Sequence, residues 1–210
     1  LWIHEGVYFG LMDVYTVGKP GMFDGFEYEK KHDHDFMDFY IGTSRDCVNF
    51  DKSWVHNRKP LVPRGPAGSF DKDGIKPPAQ ILTLNDEHWI YYGGMNERHY
   101  SRGRHLNIGL AKLPLDRFIG QAASAKEGII ITKPFTLEGD TLEVNVDAKS
   151  GWVKVELLDA AGDVISGKRT THVDELRLTP KLKLQKHKGK TIKLKFTLQN
   201  AKLYAFQVKN

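Results

Sequence analysis

Apolar residues in this chain of 210 amino acids recur at every second position, or in short runs closed by Gly, Pro, Asp or Asn, and helical spacing is nearly absent. Alternation by two places one face of an extended segment in a core and the other in water. A chain built this way must form sheets, and many short strands with regular turns mean a sandwich, a barrel or a propeller. Strands are predicted at Val7–Tyr15, Phe36–Thr43, Ala79–Leu84, Trp89–Gly93, Leu106–Lys112, Ile129–Thr132, Thr141–Asp147, Trp152–Asp159, Val164–Ser166, Thr191–Leu198 and Leu203–Val208. Leu1–His4 reads as the interior of a further strand, and the spacing suggests one short helix over Leu115–Ala125.

The pattern changes near residue 126. Before it, aromatic and Gly-Gly segments alternate with polar loops; after it, alternation is clean, as in Leu142, Val144 and Val146, or Ile192, Leu194 and Phe196. We therefore expect two domains, 1–126 and 127–210, the second an antiparallel sandwich with Asp159–Asp163 as a hairpin turn. Charge follows the same division. Residues 1–126 carry 16 basic and 16 acidic side chains, and residues 127–210 carry 15 and 10, so the net +5 lies in the second part. Lys181, Lys183, Lys193 and Lys195 fall on the polar phase, which favours a solvated face that discourages edge pairing over a polyanion site.

The single cysteine, Cys47, excludes an internal disulfide framework and reads as a small, semi-buried turn residue rather than a nucleophile. No apolar run approaches the ~20 residues of a membrane-spanning helix. The chain does not begin with Met, and the expectation is that the natural N-terminus lies upstream, so a missing signal peptide says nothing about export. Lys31-His32-Asp33-His34-Asp35 puts two histidines on one side of an extended stretch, but two ligands do not make a metal site, and a polar loop is the preferred reading. No metal or cofactor is expected.

Three motifs carry the functional argument. Phe39–Asp46 and Leu106–Leu113 share a pattern that fits two successive propeller blades. Ser44-Arg45-Asp46-Cys47-Val48-Asn49-Phe50 looks like a blade turn in which Asp46 accepts backbone N–H bonds and the aromatic packs beneath. Gly68-Ser69-Phe70-Asp71 leads through Gly74-Ile75-Lys76-Pro77-Pro78 to Trp89-Ile90-Tyr91-Tyr92-Gly93-Gly94. With the Gly120–Gly139 junction and the sandwich segments after it, this resembles the late blades and C-terminal sandwich of the five-bladed propeller glycoside hydrolases of the family 32, 43 and 68 type.

The resemblance implies an all-β fold, a partial five-bladed propeller followed by a sandwich, in a secreted or periplasmic protein that handles carbohydrate. It implies acidic residues about the propeller axis, because glycosidic cleavage needs two carboxyls of split pKa. The Asn-Asp-Pro-like and Arg-Asp-Pro-like motifs that carry the first two in such enzymes are absent from this sequence. Glu5, in His4-Glu5-Gly6, resembles the general-acid position, against an ordinary loop carboxylate. Asp71 is the second catalytic candidate, directed toward the axis for sugar contact, against a structural turn. His4, Tyr92, Arg98 and His99 are candidate substrate contacts, with Tyr92 and Trp89 also readable as strand core. A non-catalytic carbohydrate-binding module is the other reading. Sialidase-like action is disfavoured, because no arginine triad or tyrosine–glutamate pair can be picked out. Neither nucleic acid nor a membrane span is expected, and open blade edges would favour pairing with another copy.

Overall fold

The computed structural model describes residues 1–17, 35–98 and 103–210. The fold is all-β and divides into two compact units, Leu1–Leu113 and Pro114–Asn210. Among the described residues no helix is long and apolar enough to cross a membrane.

The first unit contains β1 (Trp2–His4), β2 (Val7–Thr16), β3 (Phe36–Ser44), β4 (Gly74–Lys76), β5 (Leu82–Leu84), β6 (Glu87–Met95) and β7 (Asn107–Pro114), with a one-turn helix α1 (Ser53–His56). These strands form a seven-stranded sheet in the order β1-β2-β3-β4-β6-β5, with β7 also paired to β6. Two antiparallel ribbons meet at one parallel residue pair, Met37 with Gly74. Strand β3 is buried along most of its length because it has a neighbour on each side and is covered on both faces, with Phe39, Ile75 and Ile90 at the centre of the core. The similar segment in β7 has the opposite fate. Ile41 is 3% exposed, whereas Ile108 is 80% exposed, since β7 pairs on one side only.

The second unit is a sandwich of two antiparallel sheets. One runs β10 (Phe135–Thr136), β15 (Thr191–Gln199), β12 (Trp152–Asp159) and β13 (Val164–Thr171), with β9 (Gly128–Ile131) also on β15. The other runs β14 (Asp174–Leu178), β11 (Thr141–Asp147), β16 (Ala201–Lys209) and β8 (Gln121–Ala123). Every second residue of β11, β12 and β15 enters a core that includes Leu142, Val144, Val155, Leu157, Leu194 and Phe196. The hairpin at Asp159–Asp163 forms as expected, with the Asp159 carboxylate accepting the Gly162 and Asp163 N–H groups at 2.8 and 2.9 Å.

Three sequence expectations are corrected. Leu115–Ala125 is not helical: Asp116 takes a left-handed φ of 59°, Arg117 closes a turn on Pro114, and Gln121–Ala123 is drawn into β8 by pairing with Ala201–Leu203. Weak helical spacing yields here to a long-range sheet partner, and the second compact unit begins at Pro114. Lys181 and Lys183 are exposed but lie outside any strand, in the approach to a short 3-10 turn at Leu184–His187. Cys47 is exposed rather than semi-buried.

Candidate functional site

The loop before β4 is shaped by its glycines. Gly68 has a φ of 90°, which lets Ser69 N–H close a turn on the Pro66 carbonyl at 3.0 Å. The turn lays Phe70 and Asp71 directly on β6. A Cβ at Gly94 would stand 2.5 Å from the Phe70 ring and 2.7 Å from Asp71 Cβ, so the second glycine of Tyr-Tyr-Gly-Gly is what allows the loop to settle there. Gly65 makes the matching space opposite the Asp71 carboxylate, where a Cβ would lie 2.2 Å from Oδ1.

Asp71 is thereby buried, and both its oxygens are engaged. Tyr92 OH donates to Oδ2 at 2.8 Å, and the Ser69 hydroxyl lies 2.8 Å from Oδ1 with one proton to share between it and the Pro66 carbonyl. The Tyr92 ring rests over Gly109 of β7 and stacks on Phe70 at 6.2 Å and 17°. Burial first, then the hydrogen bond and charge of Asp71, push the Tyr92 phenol up to about 12. Tyr92 is therefore a fixed donor at all ordinary pH.

Around this pair the sheet end holds three more buried aspartates, each with a partner. Asp38 accepts Arg64 Nε at 2.8 Å, while Arg64 also donates to the Lys72 carbonyl at 2.9 Å and lies over the Phe36 ring. Asp73 pairs with Arg98 at 3.2 Å and with Lys72. Asp35 receives the Tyr15 hydroxyl, and its carbonyl accepts Arg98 Nη1 at 3.0 Å. Buried carboxylates persist only when cations and donors replace the lost water, and this set supplies them.

The predicted residues separate in space. Asp71 and Tyr92 come together, and Arg98 joins the adjoining network through Asp73 and Asp35. Glu5 is exposed at the apex of the β1–β2 hairpin, in a left-handed turn with Gly6 (φ of 46° and 69°). His4 belongs to an aromatic cluster instead: it stacks on Trp2 at 5.0 Å and meets the fully buried His88 edge-on at 4.9 Å. Thr83 Oγ1 lies 3.0 Å from His88 Nδ1. His99, His32 and His34 lie outside the described residues. The Asp46 turn is structural, as expected: its Oδ1 accepts Val48 and Asn49 N–H at 2.9 and 2.8 Å, Asn49 Nδ2 donates to Oδ2, and these bonds hold the carboxyl below the usual range. Phe50 packs against Gly10 beneath it.

Sequence reasoning did not find Asp35, Asp38, Asp73, Arg64 or His88. Asp38 stands between Met37 and Phe39, so a polar residue at a core position was its one visible signal, whereas His88 follows Asp86 and Glu87 and reads as part of a polar turn. Arg64 and Asp73 are ordinary loop charges until the chain folds them inward. No known protein family, curated protein or solved structure matches the chain.

Proposed function

We propose that this chain is a glycoside-hydrolase-like protein of the five-bladed propeller type, acting on poly- or oligosaccharide, with the Gly-Ser-Phe-Asp loop as its sugar-contacting element. One observation carries the reading: the loop folds onto the Tyr-Tyr-Gly-Gly strand, where the buried Asp71–Tyr92 hydrogen bond fixes in place a Phe70 ring that is 38% exposed. A fixed aromatic face suits the apolar C–H face of a sugar ring. Arg98 would extend the polar side of the contact. A secreted or periplasmic site of action goes with this reading, as does pairing of two copies through the edge strand β7, where Ile108 and Leu110 face outward.

A second reading, a non-catalytic carbohydrate-binding module, is favoured by a specific feature. Among the described residues every carboxyl whose pKa departs from its ordinary value departs downward, including Glu87, Glu97, Glu143 and Glu156. Acid catalysis of glycoside cleavage calls for one carboxyl held protonated. Reducing-sugar release by the full chain, with Glu5→Gln and Asp71→Asn variants, separates the two. Release that Asp71→Asn abolishes supports the hydrolase; glycan binding without release, lost on Tyr92→Phe, supports the module; neither release nor binding overturns both.

A further inference from the structure

One outer face of the sandwich carries a cluster of charged side chains around Trp152. Val153, Val155 and Leu157 of β12 point into the core, so Trp152, Lys154 and Glu156 point out. Strand register brings their neighbours to the same face: Lys154 stands opposite Arg169 on β13 and Thr197 on β15, while Glu156 stands opposite Gly167 and Lys195. Gly167 matters here, since a Cβ would sit 3.0 Å from Glu156 Cγ, and its absence leaves room for the glutamate side chain.

Glu156 is buried between two ammonium groups, with Lys154 Nζ at 2.5 Å and Lys195 Nζ at 3.1 Å. One carboxylate cannot neutralise two ammoniums, so this triad keeps one positive charge on a fixed frame. Beside it the Arg169 guanidinium lies 3.9 Å over the Trp152 ring, and the indole is locked in turn by donating to Gln199 Oε1 at 2.7 Å. Arg169 is exposed, and among the described residues its one partner is the Trp152 ring. The ring contact restrains an exposed guanidinium, a group able to grip a planar or tetrahedral oxyanion through two parallel bonds.

We infer that the outer face formed by Trp152, Lys154, Glu156, Arg169 and Lys195 binds an acidic polysaccharide, with Arg169 gripping a uronate carboxylate or a sulfate and the Lys154–Glu156–Lys195 triad drawing the neighbouring acidic unit. Arg169 and Lys195 stand two strands and two residues apart, roughly 12 Å between backbones at about 4.8 Å per strand and 3.3 Å per residue, which is close to the scale of a disaccharide repeat. Nucleic acid fits less well. The Trp152 ring is covered by Arg169 and offers no base a stacking platform, and the cations are too few to track a phosphate backbone. This inference extends to the second unit and stands independently of the first unit's loop.

The test uses the full chain in affinity electrophoresis against alginate (a polyuronate), κ-carrageenan (a sulfated galactan) and neutral dextran, with a single-stranded 20-mer DNA as the competing polyanion. Expected are retardation by one or both acidic glycans, none by dextran, weakening with salt, and about a tenfold loss of affinity in Arg169→Ala. Arg169→Lys should rescue only partly, and Lys195→Gln should lose several-fold. Lys186→Gln, equal in charge change but off this face, should bind as the parent does. Thermal melting checks that each variant is folded. No retardation by either acidic glycan, equal losses in Lys186→Gln and Lys195→Gln, unchanged binding in Arg169→Ala, or tighter binding to DNA would each overturn the proposal. Because Asp71→Asn leaves this face intact, failure of the loop reading and failure of this one are distinguishable.

Discussion

The two units bury different things. The second unit fills the core between its sheets with aliphatic side chains and Phe196, and the polar groups it buries are Asn145, Thr197 and Glu156, the last on an outer face between two lysines. The first buries Phe39, Ile75 and Ile90 as well, but beside them Asp35, Asp38, Asp71, Asp73 and His88. An apolar core is non-directional and tolerates approximate fit, whereas a buried polar network must satisfy every member to avoid costing more than it returns. The contrast teaches where function should be sought: stability alone explains the second unit's interior, and does not explain four buried aspartates collected at one end of the first unit's sheet.

The strongest way to break this comparison is to hollow the apolar core. Phe196→Ala should destabilise the second unit by about 3–5 kcal/mol, read as a lower denaturant midpoint. A cost below about 1 kcal/mol would show that this interior is not close-packed. A smaller effect is expected where a polar bond is removed. Tyr92→Phe leaves Asp71 Oδ2 without its phenol donor, and should cost about 1–3 kcal/mol. Gly94→Ala drives a methyl group into Phe70 and Asp71 and should cost a similar ~1–3 kcal/mol, with loss of any sugar affinity.

Alkaline titration sharpens the same contrast without mutation. The folded state holds the Tyr92 proton up to about pH 12, while an unfolded chain releases it near pH 10. The stabilisation is therefore complete below pH 10 and is lost as pH rises through 12. Tyr92→Phe should flatten the dependence in that window, measured by chemical denaturation across it; an unchanged slope would show that the phenol is not held. The smallest effect concerns a single turn. Cys47 adopts a φ of 60°, where its side chain is strained, so Cys47→Gly should stabilise by about 0.5–1 kcal/mol, a rise of a few degrees or less in melting temperature.

Much of the fold was legible because its signals are local. Thr141–Asp147 and Trp152–Asp159 are strands with the predicted bounds, since alternation and turn residues fix both the face and the ends of each. The Asp159 hairpin and the Asp46 turn were readable for the same reason: an aspartate bonding its own backbone two to four residues on needs no distant partner. Strand β8 was not readable, because Gln121–Ala123 has no strand character of its own and takes it from Ala201–Leu203, far along the chain.

The sequence by itself determined the all-β class, the division into two differently patterned halves, the position of the basic excess, and the Gly-Ser-Phe-Asp and Tyr-Tyr-Gly-Gly segments as a pair worth attention. Only the tertiary structure decided that Asp71 and Tyr92 share a proton donor and acceptor, that Glu5 stands exposed in a hairpin while Asp38 and Asp73 are buried, and that Arg169 lies over Trp152 beside the Lys154–Glu156–Lys195 triad. The physical reason is range. Alternation, turn chemistry and charge are written into neighbouring residues, whereas burial, ion pairing and a shifted pKa belong to groups that meet only after strands distant in sequence have paired.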